Sequence, residues 1–384
     1  MRWLIKLQRW QRKRAGGVYH GDLYRISKKD RLKRIPNDVL ERKQRLPEGP
    51  NTNRAGDCVF FNGSCRDGCY LALGFAQRPG AIANIFFVLH IPGKGTFVNE
   101  DLLSTSNLKT IPNDHEYVSE SGFKISCLRP MEMWRIEFNG SLVNTKYLKQ
   151  DLTKPGEGKK PQDYEAIDTK FELDWTAKGD HFDFDTDISV DLISRSLAIE
   201  PWSRTAFKNL QSRHNIHYEQ FGSLRGSVFL NGDERVLSLV GLRDHTVAPY
   251  RNWSEIRRYV MIMFALEDGT CVNTSCISMP EQVFSHLQFG YVIHPDGSKT
   301  VINKLNLHLA YIGENKQFPD EFHYTFETDD HYKLQVVNVV VKERVAFKMG
   351  LDLNNYLEEL LCEFSLNGVK GTGFCEINYR ISPY

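Results

Sequence analysis

Phe221-Gly-Ser-Leu-Arg-Gly-Ser-Val-Phe-Leu230 and Arg235-Val-Leu-Ser-Leu-Val-Gly-Leu242 flank the dipeptide Asn231-Gly232. The first segment alternates apolar and polar side chains, as a strand with one buried face does. Asn-Gly is the strongest short signal for a tight turn between antiparallel strands, because both residues tolerate a positive φ. The segment therefore predicts a β-hairpin whose second arm leads into the polar stretch Arg243–Trp253.

The same succession of short apolar runs and turn residues recurs along most of the chain. Further hairpins are predicted around residues 62–68, 139–140, 267–269 and 295–297, where Asn-Gly, Asp-Gly or Pro-Asp-Gly occurs. Frequent turn signals with few helical patterns are typical of antiparallel sandwiches and barrels. The fold class is thus predicted to be mainly β, with one short helix at Asp352–Glu359.

The length of 384 residues accommodates two or three domains, at roughly 100–200 residues per domain. We predict four segments in order. They are a basic N-terminal arm (1–56), a first β domain (57–186), a helical connector (187–217) and a second β domain (218–384), each all-β domain being a barrel or a sandwich.

The basic charge is concentrated at the N-terminus. Residues 1–45 hold 15 Lys/Arg and 4 Asp/Glu, a net charge of +11, so the rest of the chain carries −10 of the total of +1. Within residues 2–14, Trp3, Leu4, Leu7 and Trp10 recur at helical spacing among basic residues. This pattern fits a membrane-surface helix or an organelle-targeting segment. The alternative is a solvated or docking helix, or the stump of a longer protein.

Several function classes lack their usual signals. No GxxxxGK[ST], no GxGxxG after a strand and no GxSxG occurs, so nucleotide-dependent chemistry is not expected. Basic residues in the body of the chain are not interleaved with aromatics, which argues against a nucleic-acid partner. No cofactor is expected.

The eight cysteines form no CxxC pair, and no histidine stands at finger-like spacing, so no metal site is expected. No apolar run approaches the roughly 18 residues of a membrane span. The expected location is the cytoplasm, with reduced thiols. Membrane association or a mitochondrial location are the alternatives that the basic N-terminus keeps open.

Arg243-Asp244-His245 is the centre of the candidate site. On a strand Arg243 and His245 share one face and Asp244 lies on the other. If this face lines a lumen, Arg243 would bind an anionic or carbonyl group and His245 would transfer a proton. The mouth of the lumen would then be closed by Tyr250, Arg251 and Trp253. The alternative is an Arg–Asp ion pair that pins the loop, with Trp253 as core packing.

The strand Gly373–Arg380 supplies a further acid, Glu376. A buried carboxylate paired with Arg243 or Arg380 would have a shifted pKa that suits acid/base work. The alternative is a structural ion pair that closes a barrel. We expect Tyr218, Trp134 and Tyr379 among the ligand-binding side chains.

A set of motifs is spread over about residues 15–384. They are Glu200–Ser203, His217–Gly222, Leu242–His245, Tyr259, Leu266–Thr270, Phe284–Leu287, Gly290–Pro295 and Gly373–Arg380. Together they resemble the N-terminal region of animal proteins labelled phosphoenolpyruvate synthase-like. In that family the region precedes an ATP-binding, pyruvate phosphate dikinase-type domain and a swivelling phosphohistidine domain. Those domains are not in this sequence, so the resemblance does not imply phosphoryl transfer, although it does imply phosphotransferase partner domains.

A more distant resemblance connects the chain to carotenoid 1,2-hydratases and Diels–Alderase-type cyclases, which have two lipocalin-like β domains. It rests on Arg243-Asp244-His245 and on the closing strand Gly371-x-Gly-x-x-Glu-x-x-x-Arg380. The chain departs from this pattern after His245. Residues 247–250 (Val-Ala-Pro-Tyr) and Asn252 stand where a glycine and an acidic residue are expected.

The two resemblances imply two lipocalin-like domains with a small hydrophobic ligand, isoprenoid- or polyketide-like, between them. We expect ligand binding or acid/base conversion by a cofactor-independent hydratase, cyclase or isomerase, with His245, Arg243, Asp244 and Glu376 as catalytic candidates. Trp253 would stabilise a developing cation. The alternatives are a non-catalytic accessory module of a phosphotransferase and a structural or interaction protein.

Overall fold

The structure is a computed structural model. It describes residues 1–14, 36–46, 54–99, 104–109, 113–145, 166–201, 203, 205, 215–280, 284–313, 318–329, 333–349 and 354–381. The predicted fold class is confirmed: the described chain is mainly antiparallel β-sheet.

The chain divides into two compact units. The first unit comprises Pro36–His181 and Glu219–Arg251, and the second comprises Met1–Ile35, Phe182–Tyr218 and Asn252–Tyr384.

The strands of the first unit and of the segment that follows it are β1 (Gly56–Ser64), β2 (Tyr70–Arg78), β3 (Ile82–Ile91), β4 (Gly95–Val98), β5 (Ser104–Asn107), β6 (Glu116–Val118), β7 (Phe123–Arg129), β8 (Met133–Asn144), β9 (Ala166–Ala177), β10 (Phe182–Asp183), β11 (Ile216–Leu230) and β12 (Asp233–Ala248).

The remaining strands are β13 (Arg258–Leu266), β14 (Cys271–Met279), β15 (Phe284–Ile293), β16 (Lys299–Asn306), β17 (Glu321–Thr328), β18 (Gln335–Met349), β19 (Asn355–Leu366) and β20 (Val369–Arg380). The helices are α1 (Arg2–Arg14), α2 (Asn37–Leu40) and α3 (Val190–Ala198), with 3₁₀ turns at Trp253–Glu255 and Leu309–Tyr311.

Each unit is built around a closed ring of strands. In the second unit β13 to β20 pair in sequence order and form a closed barrel. In the first unit the pairs run β11-β12-β1-β2-β3-β4-β8, and β9 pairs with both β8 and β11, so this circuit also returns to its starting strand. Closure pairs the edge strands, which would otherwise expose unpaired backbone groups.

Alternation along the strands places the apolar core inside each ring. In the first unit the core includes Val59, Phe61, Leu71, Leu73 and the alternate residues of the neighbouring strands. The second unit has its own core, to which β19 contributes Leu360, Cys362, Phe364 and Leu366. Residues between these positions point to the opposite face of the same strand.

The central hairpin forms as predicted, because Asn231 and Gly232 have φ values of 50° and 86°. Its second arm runs further than expected and carries Arg243 and His245 within β12. Two local predictions are wrong. Asn139-Gly140 lies inside β8, and the segment predicted as a helix at Asp352–Glu359 enters strand β19 at Asn355. In both places pairing with neighbouring strands overrides the local signal.

The units do not follow the predicted linear boundaries. Residues 219–251 group with 36–181, because β12 pairs with β1 and β11 pairs with β9. The predicted connector contains α3 (Val190–Ala198), while residues 202, 204 and 206–214 of it lie outside the described residues. The predicted arm also differs, since Leu40 and Glu41 are buried.

The helix α1 lies where helical spacing predicted it. None of the helices within the described residues has the length and apolarity needed to cross a membrane.

Candidate functional site

Strand β12 places Arg243 and His245 on the inner face of the first unit's ring. They are register partners of Phe61 and Val59 on β1, and both are fully buried. They share this face with the core residue Leu239, as alternation along the strand requires. Asp244 points the other way, and its Oδ1 accepts a hydrogen bond of 3.3 Å from Thr246.

The guanidinium of Arg243 lies in a cage of polar and aromatic groups. Its Nη2 donates to Glu41 Oε1 at 2.8 Å and to Gln220 Oε1 at 2.9 Å. Its Cζ lies 4.9 Å from the centre of the Trp175 ring and 5.4 Å from that of Trp134. The face of an aromatic ring attracts a cation most strongly when the cation has lost its water. The ion pair with Glu41 and the two rings together therefore compensate Arg243 for its lost hydration.

Gly222 makes room for this cage. A Cβ at that position would lie 2.4 Å from the Trp175 ring. No side chain fits there without displacing the indole that stacks on Arg243. The glycine is therefore required by packing, not by a turn.

The partner Glu41 is supplied by the segment 36–46, which begins with α2 and enters the first unit. The other oxygen of Glu41 accepts a hydrogen bond of 2.6 Å from Trp134 Nε1. Lys43 follows two residues later; its Nζ donates to the backbone oxygen of Glu116 at 3.1 Å, and burial lowers its pKa. The segment is thus held by side-chain and backbone contacts on both sides of the buried carboxylate.

His245 belongs to a second buried group. Its Nε2 lies 2.7 Å from Asp57 Oδ1, and the Tyr117 hydroxyl donates to the same oxygen at 3.0 Å. The backbone amide of Gln44 donates to the other oxygen of Asp57. The imidazole, the carboxylate and the phenol are all fully buried. A histidine, a carboxylate and a phenol are the components of a proton relay. Nε2 of this histidine is already hydrogen-bonded to the carboxylate of Asp57.

A third group lies in the second unit, on the face of the β19–β20 pair opposite to the barrel core. Glu359 on β19 and Glu376 on β20 are direct register partners. Such partners have Cβ atoms about 4.5–5.5 Å apart. The Tyr259 hydroxyl of β13 donates to Glu376 Oε1. Two carboxyl groups in this position repel each other unless one holds a proton.

Glu359 is the carboxyl group that holds the proton. It is almost fully buried, and burial raises its pKa well above the usual value, with a further increase from the neighbouring Glu376. As a carboxylate it would find no hydrogen-bond donor for either oxygen among the described residues. As a neutral acid it donates to Glu376. The acid Glu359 therefore lies beside Glu376, which accepts a hydrogen bond from Tyr259.

Two asparagines on the same face leave hydrogen-bonding atoms unused. Asn355 Nδ2 donates to Asn378 Oδ1 at 3.1 Å. Asn355 Oδ1 and Asn378 Nδ2 have no hydrogen-bond partner among the described residues, although both side chains are fully buried. Buried polar atoms in proteins are nearly always bonded, so this donor and acceptor are candidates for contacts with a bound polar group.

The other predicted site residues are divided between the units. In the first unit the Tyr250 hydroxyl accepts from Arg54 at 3.3 Å. Arg251 contacts the same segment through its backbone amide, which donates to Arg54 O at 2.8 Å. Trp134 stands beside Arg243, as described above.

The second unit holds Trp253, Tyr218, Tyr379 and Glu376. The ring of Trp253 lies 6.5 Å from that of Tyr259, close to the carboxyl pair. Tyr379 stacks under the guanidinium of Arg258 at 5.1 Å, and Tyr218 is buried. The structure thus assembles two groups from the predicted residues, one around Arg243 and one around Glu376.

The residues that complete both groups were not among the predicted ones. Glu41 was placed in a surface arm, and Glu359 was placed in a helix. Asp57 and Tyr117 carried no motif. One signal was available for Glu359: on a strand, alternation puts it between Leu357 and Leu361, so an acid falls on an otherwise apolar face.

The described residues contain no group of three or more His, Cys, Asp or Glu side chains arranged to hold a metal ion.

A protein-family model described as "Family of unknown function (DUF8627)" matches residues 20–379. No curated protein matches the chain.

Among solved structures, a protein assigned as AttH from Nitrosomonas europaea superposes with a TM-score of 0.54 at 9% identity, over 87% of this chain and 96% of that one. Kievitone hydratase from Nectria haematococca gives a TM-score of 0.44 at 9% identity, over 87% and 93% of the two chains. CghA with Sch210972 gives 0.46 at 10% identity, over 89% and 94%.

At such identities the likeness concerns the fold alone, and the first structure carries it. The predicted pair of lipocalin-like β domains is confirmed at the level of the fold. The resemblance to phosphoenolpyruvate synthase-like proteins gains no support from these comparisons and stays a prediction.

The buried ion pair generates the first prediction. Arg243→Met leaves the Glu41 carboxylate buried without its cation, so we expect a loss of about 3–5 kcal/mol in the free energy of unfolding. Adding Glu41→Gln removes the stranded charge and should recover part of that loss. Urea unfolding of both single variants and the double variant measures the coupling.

The control for this cycle is Arg135→Met. Arg135 pairs with Asp174 on the same sheet at 2.8 Å, but the pair is about one-third exposed, so its loss should cost less than about 1 kcal/mol. Strictly additive effects of Arg243→Met and Glu41→Gln would contradict the role assigned to the pair.

The carboxyl pair generates a pH-dependent prediction. Because the folded pKa of Glu359 is raised, its contribution to stability is complete below its ordinary value of 4.5 and is lost as pH rises toward the folded value. Over that range wild-type protein should lose about 1.4 kcal/mol per pH unit through this group. Glu359→Gln cannot ionise, so the variant should gain stability relative to wild type as pH rises.

Thermal and urea unfolding between acidic and mildly alkaline pH measure this difference. Glu363→Gln, an exposed change on the same strand, is the matched control and should show no such trend. A pH-independent difference between Glu359→Gln and wild type would show that Glu359 ionises normally.

Proposed function

The chain belongs to the family of unknown function DUF8627, and we propose that it binds a small hydrophobic molecule with a carbonyl or hydroxyl group and converts it by proton transfer. The observation that carries the proposal is the buried acid–carboxylate pair of Glu359 and Glu376.

The pair supplies both halves of acid/base catalysis. Glu359 retains a transferable proton because it is buried beside a second carboxyl group. Glu376 remains the accepting carboxylate, and the Tyr259 hydroxyl stabilises its charge by hydrogen bonding. Environments that push apart the pKa values of two neighbouring acids are how proteins assign donor and acceptor roles.

The surroundings favour a hydrophobic molecule. The residues that flank the pair on the same strand faces are Leu357, Leu361, Phe374 and Met263, and all are buried. Ligand sites of this kind are lined mostly by apolar side chains, with a few polar groups that orient the ligand. The Trp253 ring near Tyr259 adds an aromatic surface that would stabilise a developing positive charge.

The asparagines would orient the polar group. The unused Asn378 Nδ2 can donate to a carbonyl oxygen, and the unused Asn355 Oδ1 can accept from a hydroxyl. Glu359 would protonate that oxygen or a double bond beside it, and Glu376 would take a proton from the adjacent position or from water. The reaction class is hydration, dehydration or isomerisation.

This proposal does not use the catalytic roles that the sequence predicted for Arg243 and His245. Arg243 Nη2 already donates to Glu41, and His245 Nε2 is already hydrogen-bonded to Asp57. These contacts favour a positioning role, in which they hold the first unit together.

The proposal predicts solvent-proton transfer to a bound small molecule. Purified protein is incubated with a lipid and terpenoid extract in deuterated water. Wild type should bind at least one compound by native mass spectrometry and produce a species that has gained or lost water or gained deuterium. Glu359→Gln should keep binding and lose this conversion, because the amide is similar in shape but cannot donate an acidic proton.

Glu363→Gln is the control that should behave as wild type, and Asn378→Leu should weaken binding itself. If no compound from the extract is retained by wild type, or if Glu359→Gln converts at the wild-type rate, the proposal is wrong.

A non-catalytic accessory or interaction module is the second candidate. The internal pairing of Arg243 with Glu41 and of His245 with Asp57 favours it, because buried polar groups that bond to one another suit a scaffold. Binding without conversion in the experiment above would support this candidate.

We further propose that α1 contacts a membrane surface. Over residues 2–14 it carries six basic side chains and no acidic one. Trp3 and Trp10 are 69% and 53% exposed, whereas Arg2 and Arg9 are bonded to Asp191 and to the backbone oxygen of Ile188. The helix is thus attached through two arginines, and both tryptophans are more than half exposed. Exposed aromatic side chains are what an interfacial helix inserts into the membrane surface.

Vesicles containing phosphatidylserine should therefore bind the protein and shift its tryptophan emission to shorter wavelength. Each basic residue near an anionic surface contributes about 1 kcal/mol, so binding should weaken with added salt. The variant Trp3→Ala/Trp10→Ala should lose most of the binding. Equal binding to pure phosphatidylcholine vesicles would contradict the electrostatic part, and unchanged binding of the double variant would contradict the role of α1.

A further inference from the structure

The turn between β1 and β2 brings two cysteines face to face. The backbone amide of Cys65 donates to Cys69 O at 3.0 Å, and that of Gly68 donates to Cys65 O at 3.0 Å. Gly68 has a φ of 83°, which lets three residues close the hairpin. Cys65 and Cys69 are the next facing positions after the register pair Ser64 and Tyr70.

This spacing suits a disulfide bond. Facing residues of an antiparallel pair have Cα atoms about 4.5–5.5 Å apart, inside the window of about 4.4–6.8 Å that disulfides occupy. Both side chains pack against the core of the first unit and remain partly exposed. They therefore need no backbone movement to join, and a small reagent can reach them.

The two thiols are also chemically unequal. A hydrogen bond from the Cys69 thiol lowers the pKa of Cys65 to about 6, against the opposing effect of burial. The same interaction raises the pKa of Cys69, with Asp67 raising it further and Arg235 opposing. At neutral pH Cys65 is thus largely thiolate, which is the attacking form in thiol–disulfide exchange.

The other thiols lack this arrangement. Burial raises the pKa of Cys58, and it raises that of Cys127 and Cys362 as well. Cys58 lies on β1, the strand that Cys65 follows, and provides an internal comparison.

We propose that Cys65 and Cys69 form a reversible redox site that a low-molecular-weight disulfide of the glutathione type oxidises to an intramolecular disulfide. The Cys65 thiolate attacks one sulfur of the oxidant, the oxidant's S–S bond breaks, and one glutathione thiolate leaves. Cys69 then loses its proton and attacks Cys65 Sγ, releasing the second glutathione thiolate. Two protein thiols are oxidised while one disulfide is reduced to two thiols.

The site is independent of the proposed function. That function rests on Glu359 and Glu376 in the second unit, whereas Cys65 and Cys69 belong to the first unit. Cys65 also follows the end of β1, eight residues after Asp57 of the buried His245 group. Oxidation can therefore be measured whether or not the protein has the proposed activity.

The experiment treats the full-length protein with oxidised glutathione at neutral pH, alkylates the remaining thiols and digests it with trypsin without reduction. Cleavage after Arg66 separates the two cysteines, so a disulfide keeps the two peptides joined. We expect the joined peptides in oxidised protein and their release by dithiothreitol. In Cys69→Ser the reaction should stop at a glutathione adduct on Cys65.

Cys58→Ser is the matched control and should form the joined peptides as wild type does. Cys65→Ser should form neither the joined peptides nor a glutathione adduct on Cys69 at a comparable rate. The proposal is overturned if both thiols of wild type stay open to alkylation after oxidation. It is also overturned if Cys58 acquires glutathione as readily as Cys65.

Discussion

The positive charge of Arg243 inside a closed ring of strands is the constraint on which the first unit depends. A buried guanidinium is tolerated only with a well-placed anion and further compensation. The anion is Glu41, and the rest of the compensation comes from Gln220 and two tryptophan faces. Residues 36–46 have few apolar side chains of their own. They pack into the first unit because their Glu41 supplies the anion that Arg243 requires.

The two units handle buried ionisable groups in opposite ways. In the first unit Glu41 matches the charge of Arg243, and His245 is hydrogen-bonded to Asp57. In the second unit no cation among the described residues pairs with Glu359, and burial beside Glu376 raises its pKa so that it keeps a proton. The first arrangement satisfies buried polar groups. The second stores a transferable proton, which makes it the better candidate for chemistry.

Much of the fold was predictable because its signals are local. Apolar alternation and the Asn231-Gly232 turn predicted the hairpin, and alternation placed Arg243 and His245 on one face. The failures occurred where distant strands decide. Asn139-Gly140 is held straight inside β8 by β9, and β19 is held by β18 and β20 although its sequence also suits a helix. The site was predictable only in halves, because the acids that pair with Arg243 and Glu376 lie 202 and 17 residues away from them.

The amino-acid sequence by itself determined the class of structure, since strand alternation and turn chemistry act over a few residues. It also determined which side chains of β12 face inward. Only the tertiary structure decided which carboxylate meets Arg243 and that the acid predicted at Glu376 has a protonated partner. The reason is physical: ring closure sets the register between strands far apart in the chain. The energy of a buried charge depends on whichever neighbour that register supplies.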